Sequence, residues 1–166
     1  MTTTRVTGNK TVAHERIHPN SNRYLKLCNE TGTTSMPYRL EDGQLESLLA
    51  LSSEERYRHF LEKVADWEQL WGARDEQGWL VQATSTNQAY ISLWPHPAFA
   101  TDAIRRHFPG NFEEEIDFEY LLNEWLPLLK QENIKISIFP DRQWHSVLVD
   151  VEKFESDLRQ EMKKYQ

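Results

Sequence analysis

Hydrophobic and polar positions divide the chain into two parts of different character. Up to about residue 40 no period is sustained. Thr, Asn and Ser dominate, broken by Pro19, Gly32 and Pro37, and the apolar residues come in scraps such as Tyr24-Leu25-Lys26-Leu27. This stretch reads as an irregular arm with at most one short strand at Tyr24–Cys28. From Leu45 the pattern sharpens. Leu45, Leu48, Leu49 and Leu51 give a helical turn or two. Ser52, with Glu55 three residues on, then opens a clear helix through a capping box. Tyr57, Phe60, Leu61, Val64 and Trp67 lie at three- and four-residue spacing and form one apolar stripe. The chain then turns near Asp66, and Gln69–Arg74 and Trp79–Ala83 flank the turn-forming run ending at Gly78, which predicts a hairpin. Tyr90–Trp94 is a third strand, ended by Pro95 and Pro97, neither of which can donate to a sheet ladder.

Pro97 suits the first turn of a helix carrying Phe99, Ala100, Ala103, Ile104, His107 and Phe108, closed by Pro109-Gly110. A second apolar helix is expected from Asp117 to Gln131, with a kink or break at Pro127. Between the two helices, Glu113–Asp117 is expected to be an exposed loop. Ile134–Phe139 alternates perfectly and predicts a strand. Pro140–Gln143 turns the chain into a returning strand, Trp144–Val149. Val151, Phe154, Leu158 and Met162 line a final amphipathic helix. The order defines an α+β (α/β two-layer) fold. A mixed sheet of about five strands is packed by about four helices, with residues 1–44 as an arm and 45–166 as a single domain.

Composition narrows the reading. The 166 residues suit one core. Apolar residues are only 39%, offset by six Trp, six Tyr and seven Phe. No apolar run approaches the roughly 20 residues of a membrane span, and no secretory signal follows Met1, so a cytoplasmic protein is expected. The sequon Asn29-Glu30-Thr31 then has no use. Net charge is −7 and uneven: residues 1–50 balance at +1 and the remainder at −8. An acidic body argues against duplex nucleic acid, which needs clustered Lys and Arg, and suits a basic protein partner.

The tryptophan-and-glycine cassette marks a family. Trp71-Gly72, Gly78-Trp79 and Leu93-Trp94-Pro95 followed by Phe99-Ala100, with the Phe118/Trp125 helix and the closing strand pair, resemble a small bacterial family known only as domain of unknown function 2750. The resemblance runs from about Ser52 to Lys164. The overall order is also similar to the N-terminal domain of the serine-sensitivity-enhancer family. The resemblance implies an α/β scaffold and no established activity, so it brings no catalytic residue.

Four constellations could carry function. Trp71, Trp79, Trp94 and His96 could line an aromatic pocket with a polar handle. The preferred alternative makes the tryptophans core and Pro95-His96-Pro97 a rigid strand-to-helix turn. His96, His107 and His145 could converge on zinc, but no pair has tight ligand spacing, and no metal or other cofactor is expected. Cys28 lies in the arm without a positioned base, and neither a G-x-S-x-G elbow nor a phosphate-cradling loop occurs, so no catalytic residue is assigned. Finally, residues 111–132 hold seven acids against Lys130. The run is either a solvated helix face whose acids suit the helix dipole or a docking patch. With Phe112 and Trp144 as aromatic anchors, Glu113, Glu114, Glu115 and Asp117 form the candidate partner surface. The reading favoured is a non-enzymatic protein-binding domain, most specifically a bacterial immunity protein neutralising a basic toxin. A small-ligand sensor using the tryptophans is the alternative, and an uncharacterised enzyme comes third.

Overall fold

The computed structural model describes Thr4–Arg5, Glu15–Ile17 and residues 36–166. The expected strand at Tyr24–Cys28, the sequon and Cys28 lie outside the described residues. Two short segments come first, β1 (Thr4–Arg5) and β2 (Glu15–Ile17). The one-turn helix α1 (Gln44–Leu49) precedes α2 (Ser53–Trp67). The capping box on α2 is complete. Ser52 Oγ accepts the Glu55 N–H at 3.2 Å, and Glu55 Oε2 accepts the Ser52 N–H at 2.9 Å. Glu68, at φ 53°, stops the helix in the left-handed region.

The hairpin β3 (Trp71–Asp75) and β4 (Gly78–Ala83) follows, then β5 (Ala89–Trp94). β3 pairs with the end of β5 through Trp71↔Trp94 and with the start of β4 through Arg74↔Trp79. The far end of β4 pairs with β5 through Gln82↔Tyr90. Helix α3 (Pro97–His107) packs on β3 and β5.

The acidic run is not the loop expected from sequence. Phe112–Glu115 forms a strand, β6, antiparallel to β3 from Trp71↔Glu115 to Arg74↔Phe112. Its four residues are one phenylalanine and three glutamates, none of them in the core, so the hydrophobic pattern gave it no strand signature. It adds a sixth strand to the region beyond residue 70.

The helical stretch expected over 117–131 is present but changes pitch. It begins as α4 (Phe118–Tyr120), widens to a π-helical turn (Leu121–Trp125) and resumes as α5 (Leu126–Gln131). The Leu126 N–H bonds the Leu121 carbonyl five residues back. Pro127 explains this, because its ring cannot donate and crowds the turn before it. β7 (Lys135–Ile138) then runs parallel to β5, with Ile91↔Ile136 and Ser92↔Ser137 in register. β8 (Val147–Val149) pairs antiparallel to β7, and α6 (Val151–Met162) closes the chain. β1 lies on the outer edge of β8 and β2 on that of β4.

The mixed sheet carries α3 across β3, β5 and β6, while α2 and α6 pack against each other and on β7. Phe60, Val64, Leu93, Ile136, Ile138, Phe154 and Leu158 are the centre of the core. Gly72 fixes one packing detail. A Cβ there would lie 3.0 Å from Trp79 Cζ3 and 3.1 Å from Ile116 Cδ1, so the Trp79 ring rests directly on the β3 backbone.

Candidate functional site

The tryptophans of the cassette are core. Trp71, Trp79 and Trp94 are 5%, 3% and 0% exposed. Trp79 packs on Trp125 at 5.2 Å, while Trp94 meets Trp144 edge-on at 5.6 Å and donates from its indole N–H to the Pro140 carbonyl at 3.1 Å. Trp71 faces His96 at 6.1 Å. The three indoles therefore have separate partners and do not converge on one opening.

His96 is fully employed. Its Nδ1 accepts the Ala98 N–H at 3.1 Å and so caps α3, while its Nε2–H donates to the Tyr38 carbonyl at 2.9 Å. These two bonds require the neutral ring, and burial holds its pKa below the usual histidine value. Tyr38, unnoticed in the sequence, closes over His96 at 4.9 Å and reaches Trp67 at 5.7 Å, with Lys63 Nζ 5.0 Å above its ring. Its own hydroxyl is buried without a hydrogen-bond partner among the described residues, and burial pushes its pKa up. The other two histidines of the zinc reading are elsewhere engaged. His107 Nε2–H donates to the Arg142 carbonyl at 2.8 Å, and His145 Nδ1 lies 3.5 Å from Asp141 Oδ2. Among the described residues no three His, Cys, Asp or Glu side chains group as a metal site.

The acidic segment is set by β6. Glu114 Oε2 accepts from Arg74 Nη1 at 2.7 Å, and the buried Arg74 guanidinium lies 5.3 Å over the Trp79 ring. The side chains of Phe112 and Glu114 take one face of the strand and that of Glu113 the other. Phe112 is 43% exposed, among the few large apolar side chains at the surface. Asp117 caps α4, its Oδ1 accepting the Tyr120 N–H at 2.7 Å. Trp144 does not join this surface. It is 4% exposed, wedged among Trp94, His107 and Phe108, so its expected role as a surface anchor is corrected to a core one.

A second polar constellation escaped the sequence reading. The connection from β7 to β8 is held by Arg56, a 2%-exposed side chain of α2. Its Nε donates to the Phe139 carbonyl at 3.0 Å, one Nη to the Leu51 carbonyl, and the other Nη to the His145 carbonyl at 2.8 Å and to Ser53 Oγ at 3.2 Å. Asp141 Oδ2 stands 3.8 Å from that guanidinium, while its Oδ1 accepts the N–H groups of Gln143 and His145. Arg142 grips Glu46 through both Nη atoms and Asp102 through Nε, which ties α1 and α3 to the same loop. Phe139 and Trp144 have φ of 52° and 66°, a region bulky residues rarely enter. An arginine in the first turn of a helix gives no sign in the sequence that the Phe139 and His145 carbonyls it holds lie more than eighty residues away.

These features define an α+β domain. Its mixed sheet has a buried tryptophan seam, an acidic edge strand and an arginine-braced loop after its last parallel strand. A family model described as protein of unknown function, DUF2750, matches residues 57–158, and the chain belongs to that family. No curated protein matches the chain, and neither does any solved structure. No helix of the described residues is long and apolar enough to cross a membrane.

Proposed function

We propose that the protein is a non-enzymatic protein-binding domain that docks a basic partner on β6 and the turn that follows it. In its most specific form it is a cytoplasmic bacterial immunity protein that neutralises a basic antibacterial toxin. One observation carries this reading: the acidic run is an ordered strand that sets a half-exposed Phe112 beside Glu113 and Glu114. An aromatic anchor rimmed by charge is what a small interface uses, and complementary charge speeds the encounter. Blocking a cationic cleft asks only for a rigid scaffold bearing anions. The test is inhibition of a panel of basic nuclease toxin domains by the purified protein. A Phe112→Ser/Glu113→Lys variant should lose inhibition while melting like the parent. Full inhibition by that variant, or none by the parent on any member of a panel that includes a toxin from the native host, would sink the idea.

A second reading rests on the Asp141–His145 pair. A half-exposed imidazole beside a carboxylate, on a loop with two bulky residues at positive φ, is a geometry that general bases use. A His145→Asn variant that changes turnover in a hydrolase substrate screen would favour this enzyme reading. The sensor reading has less support, because the indoles leave little ring surface to a ligand.

A further inference from the structure

Tyr38 fills a site that its own departure would open. It lies in residues 36–40, which form neither helix nor strand, between the exposed Met36 and Arg39. Among the described residues, the bond from His96 Nε2–H to the Tyr38 carbonyl is the one hydrogen bond that joins this segment to the body. The ring is nonetheless 6% exposed and rests against His96 and Trp67, with Lys63 Nζ above it. Around His96 stand Phe99 at 6.0 Å and Trp71 at 6.1 Å. The site therefore offers aromatic rings, an N–H donor and a cation, and its present occupant fits it imperfectly. The Tyr38 hydroxyl is buried with no hydrogen-bond partner among the described residues, which opposes its insertion. We propose that Tyr38 is a self-ligand in a binding site for arylpropanoates, small molecules with an aromatic ring at one end and a carboxylate where Tyr38 has its carbonyl. The proposal does not rest on the docking reading above.

The chemistry of the ligand follows from Tyr38 itself. Its ring and its accepting carbonyl are separated by Cβ and Cα alone, and an arylpropanoate keeps that spacing. Three features favour the small molecule over the tyrosine. A carboxylate accepts the His96 Nε2–H more strongly than an amide carbonyl does, because the bond becomes charge-assisted. Lys63 holds a cation over the ring position and lowers the cost of bringing in a negative charge. An unsubstituted phenyl group leaves no hydroxyl stranded in the site. With Tyr38 in place the tryptophans show a ligand little surface, so binding draws on the fraction of molecules whose Tyr38 has swung out.

Hydrocinnamate, the phenyl member of the class, is the probe. It is titrated to about 10 mM into the isotopically labelled full chain, a range suited to so small a ligand. Its companions are the para-hydroxy analogue and propanoate, which has no ring. Binding is followed through the side-chain resonances of Met36, Trp67, Trp71, His96 and Phe99. Hydrocinnamate should shift these most. The para-hydroxy analogue should bind at least about fivefold more weakly, since it strands the same hydroxyl as Tyr38, and propanoate should not bind. Tyr38→Phe removes the stranded hydroxyl from the self-ligand and should weaken hydrocinnamate at least about fivefold. Tyr38→Ala removes the competing ring and should tighten it at least about tenfold. Tyr38→Phe leaves the ring packing as it is, so its result stands even if Tyr38→Ala fails to fold. The proposal is overturned by the absence of shifts at the highest concentration or by shifts centred on other residues. Equal affinity for the two aryl ligands, or equal binding by the parent and Tyr38→Phe, overturns it as well.

Discussion

Replacing Arg56 with Met tests how far one buried side chain holds the loop between β7 and β8. Methionine fills much the same volume along the stem, so the change isolates the guanidinium. The variant deprives the carbonyls of Leu51, Phe139 and His145 of a charged donor and leaves Asp141 without its counter-charge at 3.8 Å. Hydrogen bonds to charged groups contribute about 1.5–3 kcal/mol each, and burying the cation offsets part of that sum. Burial does oppose this charge, since it draws the arginine pKa down. Breaking a buried charged network by removing one partner typically destabilises by about 3–5 kcal/mol. The low end is expected here, because the His145 carbonyl keeps a second donor in the Asp141 N–H at 3.1 Å. For a domain of this size about 3 kcal/mol lowers the melting temperature by roughly 6–12 °C. The assay is urea unfolding followed by tryptophan fluorescence, with an unchanged m-value as the sign of an intact fold. Arg56→Lys should fare nearly as badly, because one ammonium cannot reach three diverging carbonyls. A loss below about 1 kcal/mol in both variants would show that the loop holds itself and that the bracing is incidental.

Gly72→Ala should destabilise by about 1–3 kcal/mol, because the new methyl presses Trp79 and Ile116, both locked in the core. A thermal melt unchanged from the parent would mean the indole has room to withdraw. Stability should also fall on acidification. Burial holds His59 down to about 4 and lowers His96 as well, so the unfolded chain takes up protons first. The stability present above the unfolded value of about 6.5 is therefore lost as pH falls toward the folded values. For His59 this amounts to at most about 2 kcal/mol between about pH 7 and pH 5. His59→Gln should flatten that part of the urea midpoint profile, and a profile as steep as the parent's would refute the assignment.

Most of the scaffold was legible because its elements carry their own periodicity. The α2 stripe and capping box, the β3–β4 hairpin and the alternation of β7 each encode one structure locally. β6 was missed because it lies at an edge and buries little, so its backbone pairing with β3, not its side chains, makes it a strand. The π turn was visible only as trouble at Pro127. A missing donor says that the helix must deviate, not whether it breaks or widens. The candidate surface was half legible. Phe112 and the glutamates lie together, whereas Trp144 has an exposed-looking polar neighbourhood in sequence and a core position in space. The Arg56 brace was illegible, since three of its acceptors are main-chain carbonyls that any residue type would supply.

The acidity of β6 also bears on how copies of the protein treat one another. An edge strand, with no second strand beside it among the described residues, invites the same edge of a second molecule, and stacked edges are the start of fibrils. Two β6 strands brought side by side would crowd the glutamates of both chains together, so like charge opposes that pairing. Exchanging Glu113 for Gln would preserve the strand and weaken that guard. Concentration-dependent assembly measured by light scattering should then appear in the variant and not in the parent.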